Sequence, residues 1–409
     1  MNKRFPKKFL LCVMALILPL CLSGCWDQVE IENRALVLGL AIDEAPPESA
    51  KEDPKVTVLK NQPINGKMIR VTAQIAVPGR VPLGPGGGMG GGGSTGNANP
   101  VWVVQVIGHT LDEALNNLQQ EIADPRYLVH LRIIVINEEI AKLGLDELND
   151  FLRRNPEVRR RIWLLVSDIE AARLMKVAPP LERVPTLYLD AMVEKAIGMG
   201  KFPPNYLGAF WDEESKWGQD GFLPYITIKG KENVMIKGIA YFSDGRLAGT
   251  SDPIEIGAYM AAKGLNPGGY STLYHVPGIG YVMTKVTERH AKTDVKIVDG
   301  KPHVSFKIHV ESVLDEHFGS EQAVDSSADI RKIERVFDQN AAALIKSFIR
   351  KTQRDHSDIF GIGEYVRAHY RSFWRDNIRQ KRDWELMYAD IPVDVEIENT
   401  IRRVGMKSK

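Results

Sequence analysis

The sequence predicts an α+β protein: three unlike domains of helices packed on mainly antiparallel or mixed sheets, following an N-terminal lipoprotein signal peptide. Three observations predict it. Apolar residues alternate at period two in several short segments and step by three and four in others, so strands and helices both occur. The two patterns interleave in the first half of the chain and separate in the last third, with no internal repeat. The first 25 residues have the three-part build of an export signal.

The signal comes first. Met1 to Lys8 carry Lys3, Arg4, Lys7 and Lys8 and no acid. Phe9 to Leu22, FLLCVMALILPLCL, is an apolar run of about 14 residues, short for a membrane span and interrupted by Pro19. Leu22-Ser23-Gly24-Cys25 then follows in the order of a bacterial lipobox. Small residues let the backbone enter a peptidase cleft, and a free thiol takes a diacylglyceryl thioether. Residues 1–24 are therefore expected to be removed, with Cys25 lipidated at the new N-terminus. Two acyl chains anchor stably, because each buried CH₂ contributes about 0.8 kcal/mol. The expected location is the membrane, with the body lipid-anchored on the outer face.

Composition narrows the function. The 409-residue chain has 53 basic and 52 acidic side chains. Loss of residues 1–24 removes four basic groups and no acid, leaving 49 against 52, or −3. A nucleic-acid binder shows a basic surplus, so none is expected as a partner. Cys12 and Cys21 lie in the signal and Cys25 is the lipidation site, so the body has no other thiol. Disulfides, thiol catalysis and cysteine-ligated metals are excluded for it.

The expected N-terminal domain covers 25–200. Arg34 to Asp43 reads as a buried strand, and Asn65-Gly66 signals a tight turn before a strand ending at Pro78. VWVVQVIG at 101–108 is a strand. Thr110 with Glu113 three residues on is a capping box, opening a helix with Leu111, Ala114, Leu115 and Leu118 on one face. Strands follow at 130–137 and in RIWLLVS, with helices over 138–154 and from Asp168. Residues 201–275 are expected as a small middle domain: irregular to 233, then strands flanking Asp244-Gly245, a helix from Asp252-Pro253 to Lys263, and a loop-rich join.

The expected C-terminal domain covers 276–409. A hairpin turns at Asp299-Gly300, with Val304, Phe306, Ile308 and Val310 on one face. A long helix over about 326–352 carries the stripe Ile330, Ile333, Phe337, Ala341, Leu344 and Phe348. Gly361 and Gly363 are expected to break the chain before helical segments with Trp374 and Trp384. IPVDVEIENTI then alternates as a closing strand.

The search for chemistry ends without a catalytic constellation. The glycine-rich loop at 84–96, GPGGGMGGGGSTG, has phosphate-loop spacing, but Ser94 stands where the lysine must be. Its Gly92-Gly93-Ser94-Thr95-Gly96 matches a nucleophile elbow, yet prolines precede it and a strand follows, where an elbow needs strand then helix. The run reads as a tether. The histidines lack metal-helix spacing, and His303 and His309 share the polar face of a strand. No metal or cofactor site is expected. Two regions are candidate contact surfaces: Arg153 to Arg161, and the segment 361–388 with Tyr365, Tyr370, Phe373, Trp374, Trp384, Tyr388 and many arginines.

Several blocks, in order, resemble the Ger(x)C lipoproteins, the C subunits of spore germinant receptors. They are GCWDQVEIENRALVLGLAID, PVWVVQVIGHTLDEALNNL, HLRIIVINEEIAKLGLDELNDFLRRNPEVRR, IKGIAYFSDGRLAGTSDPIEIGAYM and SDIFGIGEYVRAHYRSFWRDNIRQKRDWELMYADIPVDVEIENTI. The resemblance implies a non-enzymatic lipoprotein outside the inner spore membrane. It also implies partnership with the receptor's membrane-embedded A and B subunits in nutrient-triggered germination. Of the functional positions, it carries over Cys25. The loop at 44–66, the glycine run and 264–282 depart from the family pattern. A substrate-binding lipoprotein of an importer shares the anchor and size, but should show two similar lobes about a hinge. A wall hydrolase would need the catalytic site that the sequence lacks.

Overall fold

The computed structural model describes residues 33–46, 49, 68–78, 99–177, 179, 182–319, 324 and 326–404. The signal peptide, Cys25, the Asn65-Gly66 turn and the glycine-rich loop 84–96 lie outside the described residues.

The first half of the chain builds a mixed sheet. β1 (Ala35–Glu44), β2 (Ile69–Ala76) and β3 (Val101–Gly108) form an antiparallel meander, and β4 (Arg126–Tyr127) pairs briefly with the start of β1. β5 (Ile133–Asn137), β6 (Trp163–Ser167) and β7 (Phe222–Lys229) extend the other side of β1 in parallel. β8 (Asn233–Ser243) and β9 (Arg246–Thr250) add antiparallel strands, giving the order β3-β2-β1-β5-β6-β7-β8-β9. Helix α1 (Leu111–Glu121) links β3 to β4. Parallel neighbours need crossovers. Helices α2 (Glu138–Leu143) and α3 (Asp146–Arg154) supply the first. Helices α4 (Ala171–Leu174), α5 (Pro185–Gly198) and α6 (Leu207–Glu214) supply the second.

These helices cover both faces of the central strands. Leu111, Leu115, Leu118, Leu152 and Phe210 share one core with Ile134, Ile136, Leu164 and Val166. Leu174, Leu189 and Val193 share another with Ile133, Val135, Trp163 and Leu165. Each fully buried Ile or Leu contributes about 1.5–3 kcal/mol relative to exposure. Two-sided coverage explains why β5 and β6 are continuous apolar runs. It also buries Thr72 and Gln74, on the polar side of β2's alternation. Gln74 is satisfied there: its Nε2 donates to Met175 O at 2.7 Å, and its Oε1 accepts from Thr186 Oγ1 at 2.6 Å.

The second sheet is smaller and antiparallel except at its last strand. β10 (Ser271–Val276), β11 (Gly280–Val298), β12 (Lys301–Phe318) and β13 (Val393–Val404) lie in that order. Asp299 and Gly300 turn the β11–β12 ribbon with φ of 49° and 75°, the left-handed pair that a two-residue hairpin requires. Helices α7 (Pro253–Ala262) and α8 (Ser327–Arg354) share the core on one face of this sheet. Ser326 caps α8 by accepting from Asp329 N at 3.1 Å, and Ile333, Phe337 and Phe348 of its stripe are buried. Helices α9 (Ile362–His369), α10 (Arg371–Asn377) and α11 (Lys381–Tyr388) complete the crossover that brings β13 parallel to β12.

The α+β class holds, but several local expectations do not. The stretch to 233 is not irregular: α6 and β7 lie in it, because Leu207, Phe210 and Leu223 are claimed by the first core. The loop-rich join after Lys263 contains β10, an edge strand recruited by β11. Residues 201–275 do not make a sheet of their own. β7 to β9 continue the large sheet, and position 275 lies inside β10 of the small one. The capping box at α1 is shifted: Thr110 accepts from Glu113 N at 3.2 Å, but Glu113 accepts from His109 N at 2.6 Å, not from the cap residue. Gly363 does not break the chain; it sits in α9 for a packing reason.

Candidate functional site: a buried polar joint and an arginine-lined surface

The two sheets meet across a core that is continuous from Phe222, Ile239 and Tyr241 to Phe306, Phe348 and Phe360. Beside it lies a cluster of buried polar residues, among them Asp220, Ser357 and Asp358. It is built by two segments from opposite ends of the chain. The turn after α6 supplies Gly218, Asp220 and Gly221. The turn after α8 supplies Ser357, Asp358 and Gly361, and leads directly into α9.

Asp358 is the hub. Its Oδ1 accepts from Ile362 N at 3.1 Å, and its Oδ2 accepts from Gly363 N at 2.8 Å and Trp384 Nε1 at 3.0 Å. The carboxylate thus satisfies the open N–H groups at the start of α9 and orients the indole of α11. The backbones on each side also pair: Asp220 N donates to Asp358 O at 3.0 Å, and Asp358 N donates to Asp220 Oδ2 at 2.8 Å. Lys381 Nζ stands 2.8 Å from Asp220 Oδ1 and 3.7 Å from Glu214 Oε2. Glu214 in turn accepts from Gly221 N at 2.6 Å and Gly245 N at 3.0 Å.

Close backbone contact makes this geometry possible. A Cβ on Gly363 would fall 2.4 Å from the Trp384 ring and 2.5 Å from Gly218 Cα. Only glycine lets α9 approach the Gly218 turn, where Glu364 N donates to Gly218 O at 2.9 Å. Burial pushes the Asp358 carboxyl up to about 6, against the N–H groups of Gly363 and Ile362 and the Trp384 indole, which pull it down. Burial also pushes Asp220 up, with Lys381 opposing. Both carboxylates are 1% exposed. Their donors are internal and they present no open face, so the arrangement locks the two halves of the chain rather than meeting a substrate.

The predicted site residues fall elsewhere. Cys25 lies outside the described residues. His303 Nε2 is 2.9 Å from Asp394 Oδ2 on the exposed side of the small sheet. Among the described residues no group of three or more His, Cys, Asp or Glu side chains is placed to hold a metal ion. In the 153–161 region Arg153 stacks 5.2 Å from the Trp211 ring centre, Arg154 pairs with Asp150 at 2.8 Å, and Arg161 pairs with Glu194 at 3.7 Å. In the segment 361–388 the rings turn inward. Trp374, Trp384 and Tyr388 are buried, and Tyr365, Tyr370 and Phe373 are half-buried against the same core. Arg367, Arg371, Arg375, Arg379 and Arg382 are exposed, three of them paired with Glu364, Asp376 and Glu385, so arginines rather than rings dominate this surface. Sequence reasoning missed Asp220, Asp358 and Lys381. Asp358 four residues before a glycine-started helix was a weak capping signal; nothing local marks Asp220.

Both halves of the chain have known relatives. Residues 27–228 match the family described as "Spore germination protein N-terminal domain", and residues 237–405 match "Spore germination B3/ GerAC like, C-terminal". The chain belongs to the Ger(x)C family of spore germination proteins. The division between the two matches falls at the turn between β7 and β8. Spore germination protein KC of Bacillus subtilis (strain 168) is 24% identical, over 98% of this chain and 97% of that protein. Spore germination protein GerQC of Bacillus cereus is 24% identical, over 74% of this chain and 83% of that protein. The crystal structure of the GerBC protein superposes with a TM-score of 0.55 at 16% identity, covering 83% of this chain and 96% of that one. That likeness shows a shared α+β fold. Among the described residues no helix of this Ger(x)C protein is long and apolar enough to cross a membrane.

Proposed function

We propose that this chain is a non-enzymatic, lipid-anchored subunit of a spore germinant receptor, needed for nutrient-triggered germination. In this reading it is tethered through diacylated Cys25 outside the inner spore membrane and assembles with the membrane-embedded A and B subunits. Family membership over both halves carries the reading. The polar joint supports it, because two carboxylates spent on fixing the halves make a rigid platform rather than a reaction centre. The importer reading has less support: the large mixed sheet and the small one are unlike, where a binding protein of that class has two similar lobes.

The exposed arginines of the segment 361–388 are the contact surface we favour, since arginine is enriched at interface hot spots. Affinity purification from spore membranes tests the assembly: the membrane subunits are expected to co-purify, and their absence sinks the reading. Cys25→Ala is expected to abolish processing at residue 25 and release the protein from the membrane fraction; unchanged retention and processing rejects the anchor. Arg371→Ala combined with Arg379→Ala is expected to leave Tm within about 1 °C, as exposed substitutions do, and to weaken co-purification. Full retention of partners moves the interface to the Arg153–Arg161 region.

A further inference from the structure

The small sheet, α7 and α8 line a partly open cavity of about 100 Å³ that the assembly reading does not use. Its walls are mostly apolar, with Ala258 and Ala261 of α7 facing Ala341 and Ile345 of α8. Polar side chains also line it: Tyr270 just before β10, Thr272 and Tyr274 of β10, Arg289 of β11 and Asn340 of α8. Arg289 is 1% exposed, and buried arginines ordinarily meet a carboxylate. Among the described residues this one meets none. Its Nη1 donates to Leu265 O at 2.8 Å and Pro267 O at 3.2 Å, and its Nη2 donates to Gly268 O at 2.9 Å. Those three carbonyls pin the 265–268 turn, but among the described residues no carboxylate balances the positive charge, and Nη2 has one acceptor for its two N–H groups.

We propose that this cavity is a binding site for a small aliphatic monocarboxylate, held by the Arg289 guanidinium. The carboxylate supplies the missing negative charge and a second acceptor for Nη2, in surroundings where a charge-assisted hydrogen bond is stronger than in water. The size limits the body. An apolar cavity of about 150 Å³ takes benzene; this one is smaller, which fits an acid of about three or four carbons. The lining selects further. It contains no acidic side chain, so the ammonium of an amino acid would be buried unpaired, and the site favours a simple fatty acid over a zwitterion. The inference stands independently of the receptor assembly.

The test is thermal unfolding of the full-length chain in detergent with sodium propionate, sodium chloride, propionamide or alanine, at equal ionic strength, with ligand-observed NMR as a second readout. Propionate is expected to bind saturably and to raise Tm by about 3 °C at 100 times its half-saturating concentration. Chloride, propionamide and alanine are expected to give no saturable shift. Ala341→Phe fills the cavity without touching the Arg289 bonds and is expected to abolish the propionate response; Arg289→Gln, which keeps donors and removes the charge, is expected to do the same if it folds. The proposal is overturned by no saturable propionate binding, by an equal response to chloride, propionamide or alanine, or by an Ala341→Phe variant that still responds as the wild type does.

Discussion

The two sheets bury their residues in different ways. In the large sheet, β5 is enclosed on both faces: Ile133 and Ile134 point in opposite directions and neither is exposed to solvent. In the small sheet, β12 is covered on one face only. Phe306 is buried, while its neighbour Lys307 is exposed and lies opposite Lys292 in β11. Both strands are regular, so the difference is one of coverage rather than of backbone. Crossover helices have two faces of the large sheet to cover, whereas α7 and α8 lie in one core on the small one. Local sequence follows from that: an apolar run in the first case, an alternation in the second.

The sharpest way to break the comparison is truncation on each face of each strand. Ile133→Ala and Ile134→Ala are each expected to cost about 2–5 kcal/mol, and Phe306→Ala about 3–5 kcal/mol, whereas Lys307→Ala is expected to stay within about 0.5 kcal/mol. Urea unfolding measures all four. A small loss at either isoleucine means that one face of β5 is not sealed.

The joint between the sheets is the next test. Gly363→Ala places a methyl group against Trp384 and the Gly218 backbone, and overpacking of this kind costs about 1–3 kcal/mol. If the joint couples the sheets, both lose stability together, and a protease or amide-exchange assay reports one cooperative opening. Separate melting of the small sheet alone would show that the halves unfold independently.

A smaller effect is expected from pH. Burial pushes Asp358, at the joint, up to about 6, and pushes Asp338, on α8 facing β13, up to about 6 as well. At Asp338 the Asn399 N–H opposes the shift, and Glu334 and Glu398 add to it. The folded state therefore binds more protons than the unfolded state between about pH 4 and 6. Stability is expected to fall as pH rises through that window, the reverse of a salt-bridged carboxylate. Asp338→Asn removes one of the titrating groups, so the slope of stability against pH is expected to flatten. An unchanged slope would assign the effect to other groups.

The smallest effect is expected outside both sheets. Shortening a loop changes closure entropy by only about 0.6 kcal/mol per halving. Deleting residues 86–93 from the glycine-rich loop is expected to leave the urea midpoint and germination nearly unchanged. Loss of germination with the fold intact would make the loop a binding element.

What could be read in advance depended on how local the cause was. Thr110, Asp252 and the Asp244-Gly245 and Asp299-Gly300 turns act within four residues, and each stands where the sequence places it. The stripe on α8 was legible because a helix repeats its buried face every three to four residues. The strand β7 was not, because its partner β6 lies more than fifty residues earlier and Pro224 interrupts its pattern. The aromatic residues of 361–388 show the same limit from the other side. Composition marks them as interface material, yet Trp384 is drawn inward by Asp358, a residue that periodicity cannot connect to it.

The sequence by itself determined the α+β class, the starts of α1 and α7, the turns at Asp244-Gly245 and Asp299-Gly300 and the family, since each rests on near neighbours or on ordered blocks of residues. The tertiary structure alone decided that the middle segment is divided between two sheets, that Asp220 meets Asp358 across 138 positions, and that Arg289 is buried beside a cavity without a carboxylate. Those facts depend on which surfaces close over one another. Burial sets the energy of a charge, and burial belongs to the packed chain rather than to any stretch of it.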